Sequence, residues 1–123
     1  MSNFKRLDVW SDAHALVLDI YRATGVFPRA EQFGLTSQIR RAAISIPANL
    51  AEGSGRDSQR DFARFTTIAL GSANELEYLL ILAHDLGYLY DESFLARVQS
   101  IARQLVRLRQ RAQRNAKAAP RDG

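Results

Sequence analysis

The chain has no cysteine in 123 residues. That excludes a disulfide framework and any thiolate metal site. Histidine is scarce too, with only His14 and His84. A di-metal carboxylate site in a helical bundle needs Glu-x-x-His on two helices. Ser11 and Ile81 stand three residues before the two histidines, so that motif is absent. Glu52, Glu75 and Glu77 have no histidine at ligand spacing, and the histidines read as surface or boundary residues. No metal and no cofactor are expected. Nor is there an uninterrupted apolar run of about 18 residues, as a membrane span requires. Lys5 and Arg6 are followed by Asp8, Asp12 and Asp19, which breaks the pattern of a signal peptide. The expectation is a soluble cytoplasmic protein without a membrane partner.

Catalytic patterns are equally thin. Ser45 and Ser72 are the inward-facing serines, and no histidine is placed by pattern to activate either. Gly53-Ser54-Gly55 is followed by Arg56-Asp57, where a phosphate loop needs Lys-Ser or Lys-Thr. No catalytic residue emerges and no enzyme is expected. A minority reading has the Arg41, Asn49 and Glu52 stripe act chemically with Glu75, which requires those groups to line a pocket.

What the chain does have is helix periodicity. Its length suits one domain, expected over residues 1–118, with 119–123 as a frayed tail. A first helix is expected from about Val9 to Thr24, capped by Asp8. Trp10, Ala13, Val17, Ile20, Tyr21 and Thr24 recur at helical spacing on one face, with Leu16 and Leu18 off it. Gly25 and Phe27-Pro28 stop it. Phe27 and Phe33, in the following loop, are expected to pack back onto the bundle.

The second helix is expected from Thr36 to Glu52, with Leu35, Ile39, Ala42, Ile46 and Leu50 as core. Pro47 lies inside it, which removes a backbone donor and should kink the axis. Beside the core face, Arg41, Ser45, Asn49 and Glu52 line up at steps of four, four and three. The stripe reads as mainly structural, satisfying polar groups at the junction with the next helix.

Ser58 to Asp61 resembles a capping box that opens a third helix, expected to reach Leu86. Phe62, Phe65, Ala69, Leu76, Leu80 and Ala83 form its core face. Ser72 sits on that face beside Gly71 and Ala73, so its hydroxyl needs a partner, for which the second helix is the obvious source. Leu70, Tyr78, Ile81 and Leu82 point elsewhere, which predicts a second apolar side and hence a homo-oligomer. A fourth helix, capped by Asp91 or Ser93, is expected to reach Ala118, with Leu95, Val98, Ala102, Leu105 and Ala112 inward. Four helices with short connections predict an all-α, antiparallel up-down-up-down four-helix bundle.

Charge is unevenly spread. From Arg103 onward, seven Lys or Arg face one acid, while the remaining 102 residues carry ten bases and twelve acids. Arg103, Arg107, Arg111, Arg114 and Lys117 are therefore the candidate contacts to nucleic acid, either RNA or DNA. The alternative is a solvated helix end, where cations suit the helix dipole. A second basic cluster, Arg40, Arg41, Arg56, Arg60 and Arg64, surrounds the Gly-rich break. Neither cluster is interleaved with aromatics, so phosphate contact is expected rather than base reading.

Three stretches carry a resemblance: F-x-x-L-x-V-W-x-x-A near the start, SQIRRAAISIPANLAEGSGR in the middle, and DFARFTTIALGSANELEYLL followed by LGYL. Over about residues 4–95 the chain resembles the bacterial 23S rRNA intervening-sequence proteins. The resemblance implies a cyclic homopentamer of antiparallel four-helix bundles. It also marks Ser45, Asn49, Glu52, Arg56, Ser72 and Glu75 as the family's polar signature. A related branch, the accessory proteins of diversity-generating retroelements, comprises basic pentameric barrels that bind a reverse transcriptase and nucleic acid. The SIPANLAEG and GSANELE segments place this chain nearer the first branch. The expected function is a non-enzymatic, oligomeric binding protein that contacts RNA phosphates through arginine-rich surfaces. The alternative is a ring that scaffolds a protein partner.

Overall fold

A computed structural model describes residues 3–118 of the chain; the tail expected at 119–123 lies outside the described residues. Four helices follow one another: α1 (Asp8–Thr24), α2 (Leu35–Ser54), α3 (Gln59–Asp85) and α4 (Ser93–Ala118). Single 3-10 turns at Phe4–Arg6 and Arg29–Glu31 precede α1 and α2, and no strand occurs among the described residues. No helix among them is long and apolar enough to cross a membrane.

The helix ends follow local chemistry. Ser58 Oγ accepts from the Asp61 N–H at 3.1 Å, which satisfies one of the free donors at the start of α3. At the other end of α3, Gly87 takes a left-handed φ of 79°. That lets the Tyr88 N–H reach the Ala83 carbonyl and the Gly87 N–H reach the His84 carbonyl, both at 2.9 Å. Asp91 accepts from the Ser93 N–H at 2.9 Å and so serves the first turn of α4. Asp8 is the first residue of α1 and makes no cap bond, so it acts by its charge in the first turn.

Every neighbouring pair of helices runs antiparallel. Asp12 and Asp19 of α1 accept from Gln104 at 3.0 Å and Arg97 at 2.8 Å of α4, so ascending numbers meet descending ones. Arg40 Nε donates to Thr24 Oγ1 at 2.8 Å where α1 ends and α2 begins. At the far end, Leu7 and Gly53 share a cleft. Ser45 meets Ser72, and Gly53 meets Phe65, across α2 and α3. Gln99 donates to Glu77 at 2.9 Å across α3 and α4. The result is a four-helix bundle with up-down-up-down order.

Leu16, Ile20, Ile39, Ile46, Leu50, Leu76, Val98, Ile101 and Leu105 are each no more than 1% exposed and fill the centre. Burial of each such side chain contributes about 1.5–3 kcal/mol. The broadest packing joins α3 to α2 and to α4, while α1 rests more lightly on its two neighbours.

Several side chains depart from the sequence reading. Leu16 is a core residue and Tyr21 lies outside the core, 42% exposed, because Val9, Ala13, Leu16, Ile20 and Thr24 set the phase of α1. Phe27 is buried with its ring 5.6 Å from Tyr88, but Phe33 is 91% exposed. Leu70 and Leu82 do not leave the bundle: both pack against the core from the flanks of α3. Tyr78 and Ile81, by contrast, are exposed, as is Leu18. In α4, Phe94, Ile101 and Leu108 complete the buried face, and Leu95 and Ala102 sit at its margin.

Candidate nucleic-acid interface

The polar stripe of α2 forms a short hydrogen-bonded ladder. Asn49 Nδ2 donates to Ser45 Oγ at 2.9 Å and to the Ser45 carbonyl at 2.8 Å. Ser45 Oγ lies 2.7 Å from Ser72 Oγ, and the Ser72 hydroxyl also reaches the Ile68 carbonyl at 3.2 Å. Ser72 has one proton, and the carbonyl can only accept, so Ser45 is the donor between the two serines. Glu52 pairs with Arg56 at 2.6 Å. The ladder thus spends its polar groups on itself and on the α2–α3 seam. Arg41 and Glu75 are both exposed. Among the described residues no group of three or more His, Asp or Glu side chains could hold a metal ion.

The antiparallel order brings the start of α1, the end of α2, the start of α3 and the end of α4 to one end of the bundle. Lys5, Arg6, Arg56, Arg60, Arg64, Arg107, Arg109, Arg111, Arg114 and Lys117 gather there, ten basic side chains against the acids Asp8, Glu52, Asp57 and Asp61. Two open clefts at this end flank α4. Arg60, Arg64 and Lys117 line one, between α3 and α4. Arg107, Arg111 and Arg114 line the other, between α1 and α4, together with Asp8. Arg103 is exposed further back along α4.

The second cluster read from the sequence is divided by the fold. Arg40 belongs to the opposite end, where it bonds Thr24 and the Tyr21 carbonyl and lies 4.4 Å over the Tyr21 ring. Arg56, Arg60 and Arg64 join the α4 cations instead. The aromatic reading also needs correction. Phe65 is interleaved with that cluster, with Arg56 and Arg64 at 4.9 Å and 4.6 Å from its ring. The ring is only 9% exposed, so it holds the two arginines in place and offers no surface for a base. The union of Arg60 and Arg64 with Lys117 escaped the linear reading, although antiparallel pairing of the two longest helices carried the signal.

Comparison with known proteins adds a lineage. A family model described as 23S rRNA-intervening sequence protein matches residues 5–110. A solved structure of similar fold comes from Bacteroides thetaiotaomicron, a protein with unknown function from the S23 ribosomal protein family. It is 27% identical, with a TM-score of 0.75, and the match covers 83% of this chain and 95% of that one. No curated protein matches the chain.

Proposed function

Because the chain belongs to the 23S rRNA-intervening sequence protein family, we propose that it is a non-enzymatic, cytoplasmic binding protein whose basic end grips RNA phosphates. The observation that carries this reading is the gathering of ten basic side chains against four acids at one end of the bundle. Cations so placed displace counterions from a polyanion, and that release drives association. Within the α2 stripe, Ser45 bonds both Asn49 and Ser72, and Glu52 pairs with Arg56, which supports a structural role for these groups.

The test is the salt dependence of RNA binding. Engagement of five or more phosphates by this end gives a log–log slope of about −4 or steeper. Failure to bind structured RNA at low salt removes the reading.

Self-association belongs to the same proposal. Leu18, Tyr78 and Ile81 are exposed apolar side chains on the outer faces of α1 and α3. They support a ring, five subunits by the family resemblance, in which each basic end is repeated and modest single-site affinity is multiplied. Light scattering of nuclease-treated protein gives the subunit number, and a monomer removes the ring. The same exposed residues support a second reading, a scaffold for a protein partner. Recovery of one specific protein after nuclease treatment, without RNA affinity, favours that alternative.

A further inference from the structure

The end of the bundle away from the arginine-rich clefts has a groove of different character. It opens between the last turns of α3 and the first turns of α4, with a volume of about 450 Å³. Leu80 and Leu89, both buried, line it together with half-buried Leu95 and exposed Ile81. His84, Asp91 and Glu92 supply its polar groups. An apolar lining with a few placed polar groups, in a space of this size, is the usual make-up of a binding site. Tyr78, also exposed, stands three residues before Ile81 and so extends the apolar surface along the same side of α3.

The charge around this groove is negative. Among the described residues no Lys or Arg lines it. Its one base, His84, lies 3.5 Å from Asp85 and 3.9 Å from Glu92. Glu77, further back along the same seam, accepts from the neutral amide of Gln99 at 2.9 Å. The arginines of this end are engaged elsewhere. Arg22 and Arg97 both hold Asp19 at 2.8 Å, Arg40 bonds Thr24 and the Tyr21 carbonyl, and Arg29 stands in the turn before α2. Glu77, Asp85, Asp91 and Glu92 therefore have no Lys or Arg ion pair among the described residues. What fits such a surface carries apolar side chains for the groove and cations for its rim. From Tyr78 to Asp85 the exposed edge of α3 covers about two helical turns, a length that suits a helix laid in a groove. The basic helix of a second copy does not qualify, because Val98, Ile101 and Leu105 of α4 are buried inside its own bundle.

We propose that the α3–α4 groove docks a basic amphipathic helix of a partner protein. Its apolar side chains cover Leu80, Ile81 and Leu95, and its cations meet Asp91 and Glu92. Docking of this kind rests on the protein-partner reading above and gives it a site and a partner class. The arginine-rich end stays open to RNA, so one bundle can carry both at once.

The experiment titrates the isotope-labelled full chain with two synthetic helical peptides at low salt. One has leucines at i, i+3, i+4 and i+7 flanked by lysines; the other has glutamates in place of the lysines. The lysine peptide should bind about tenfold or more tighter, shift backbone amide signals between Leu80 and Ala96, and weaken as salt is added. Ile81→Ser should weaken it about tenfold, and Glu92→Lys should reduce the preference for lysine over glutamate. Both positions are exposed, so neither change touches the core, and Asp91 is left in place because it serves Ser93. Equal affinity for the two peptides, affinity untouched by both variants, or no binding at low salt overturns the proposal. A fall in subunit number on Ile81→Ser assigns the groove to a second copy and likewise overturns it. A specific protein recovered equally by the wild type and by Ile81→Ser leaves the protein-partner reading standing and overturns this site alone.

Discussion

Gly53 and Phe65 approach so closely that a β-carbon on Gly53 would lie 2.7 Å from that of Phe65. Gly53 occupies the last turn of α2 and is buried there, and Phe65 sits in the second turn of α3. Contact between these two positions sets how tightly the chain folds back at the seam. It also places Arg56 and Arg64 against the Phe65 ring.

Gly53→Ala should therefore destabilise the protein although alanine is the better helix former. The propensity gain is about 1 kcal/mol, while forcing two backbone-fixed β-carbons apart costs about 1–3 kcal/mol. Gly71→Ala is the control. It lies in the interior of α3 with nothing within 4 Å of an added β-carbon, and should stabilise by about 0.5–1 kcal/mol. Denaturant midpoints of the two variants should move in opposite directions; a shared sign would show that the Gly53 contact imposes no constraint.

The ladder across the α2–α3 seam predicts coupling between its serines. Ser72→Ala should cost about 1 kcal/mol, and Ser45→Ala somewhat more, since Asn49 then also loses an acceptor. Replacing both should cost less than the two single losses combined, by about 0.5 kcal/mol or more. Additive losses in a double-mutant cycle would mean that the serines do not act as a pair.

Stability should fall on the acid side in a way that depends on Asp19. The hydrogen bond from Arg97 lowers its pKa below the ordinary 3.8, with charge contributions from Arg97 and Arg22 opposing the effect of desolvation. The folded state thus favours the ionised carboxylate. The contribution is fully present above the unfolded pKa and is lost as pH falls through the lower folded value. Asp19→Asn should flatten the dependence of stability on pH in that range and leave its shape at neutral pH unchanged. An unaltered acid limb in the variant would contradict the assignment.

Leu16 and Leu18 should respond very differently to truncation. Leu16 is 1% exposed in the core, whereas Leu18 is 45% exposed. Leu16→Ala should cost about 2–5 kcal/mol, and Leu18→Ala no more than about 0.5 kcal/mol in the monomer. Thermal and denaturant unfolding check the pair. A change of mass in the Leu18 variant, at unchanged stability, would place it at a subunit contact.

The four helices were legible from periodicity and end signals. Ser58 caps α3 as the Ser-x-x-Asp spacing suggested, and Leu35, Ile39, Ala42, Ile46 and Leu50 are all buried in α2 as their spacing indicates, joined by Thr36, Ala43, Pro47 and Gly53. Leu16 was misplaced because the apolar arc of α1 is broad enough to admit two phases, and only neighbouring helices choose between them. Phe33 misled because its hydrophobicity said nothing about whether the loop could turn it inward. The basic end was legible only in halves. Arg40 and Arg56 are close in sequence but more than about four helical turns apart along the fold. Arg60 and Lys117 are distant in sequence but line one cleft.

The unequal packing of the helices gives the bundle a preferred way of coming apart. α3 shares its length with both α2 and α4, while α1 is held by a narrower apolar seam, by the polar links of Asp12 and Asp19 to α4, and by Arg40 of α2 at its C-terminal end. A local opening that releases α1 sacrifices less buried surface than one that separates α3 from either partner. This ordering sorts the helices into two tiers by the extent of their packing. The inner one, α2 through α4, carries the arginine-flanked Phe65, the serine ladder and the cleft of Arg60 and Lys117. The outer one, α1, carries one wall of the second cleft.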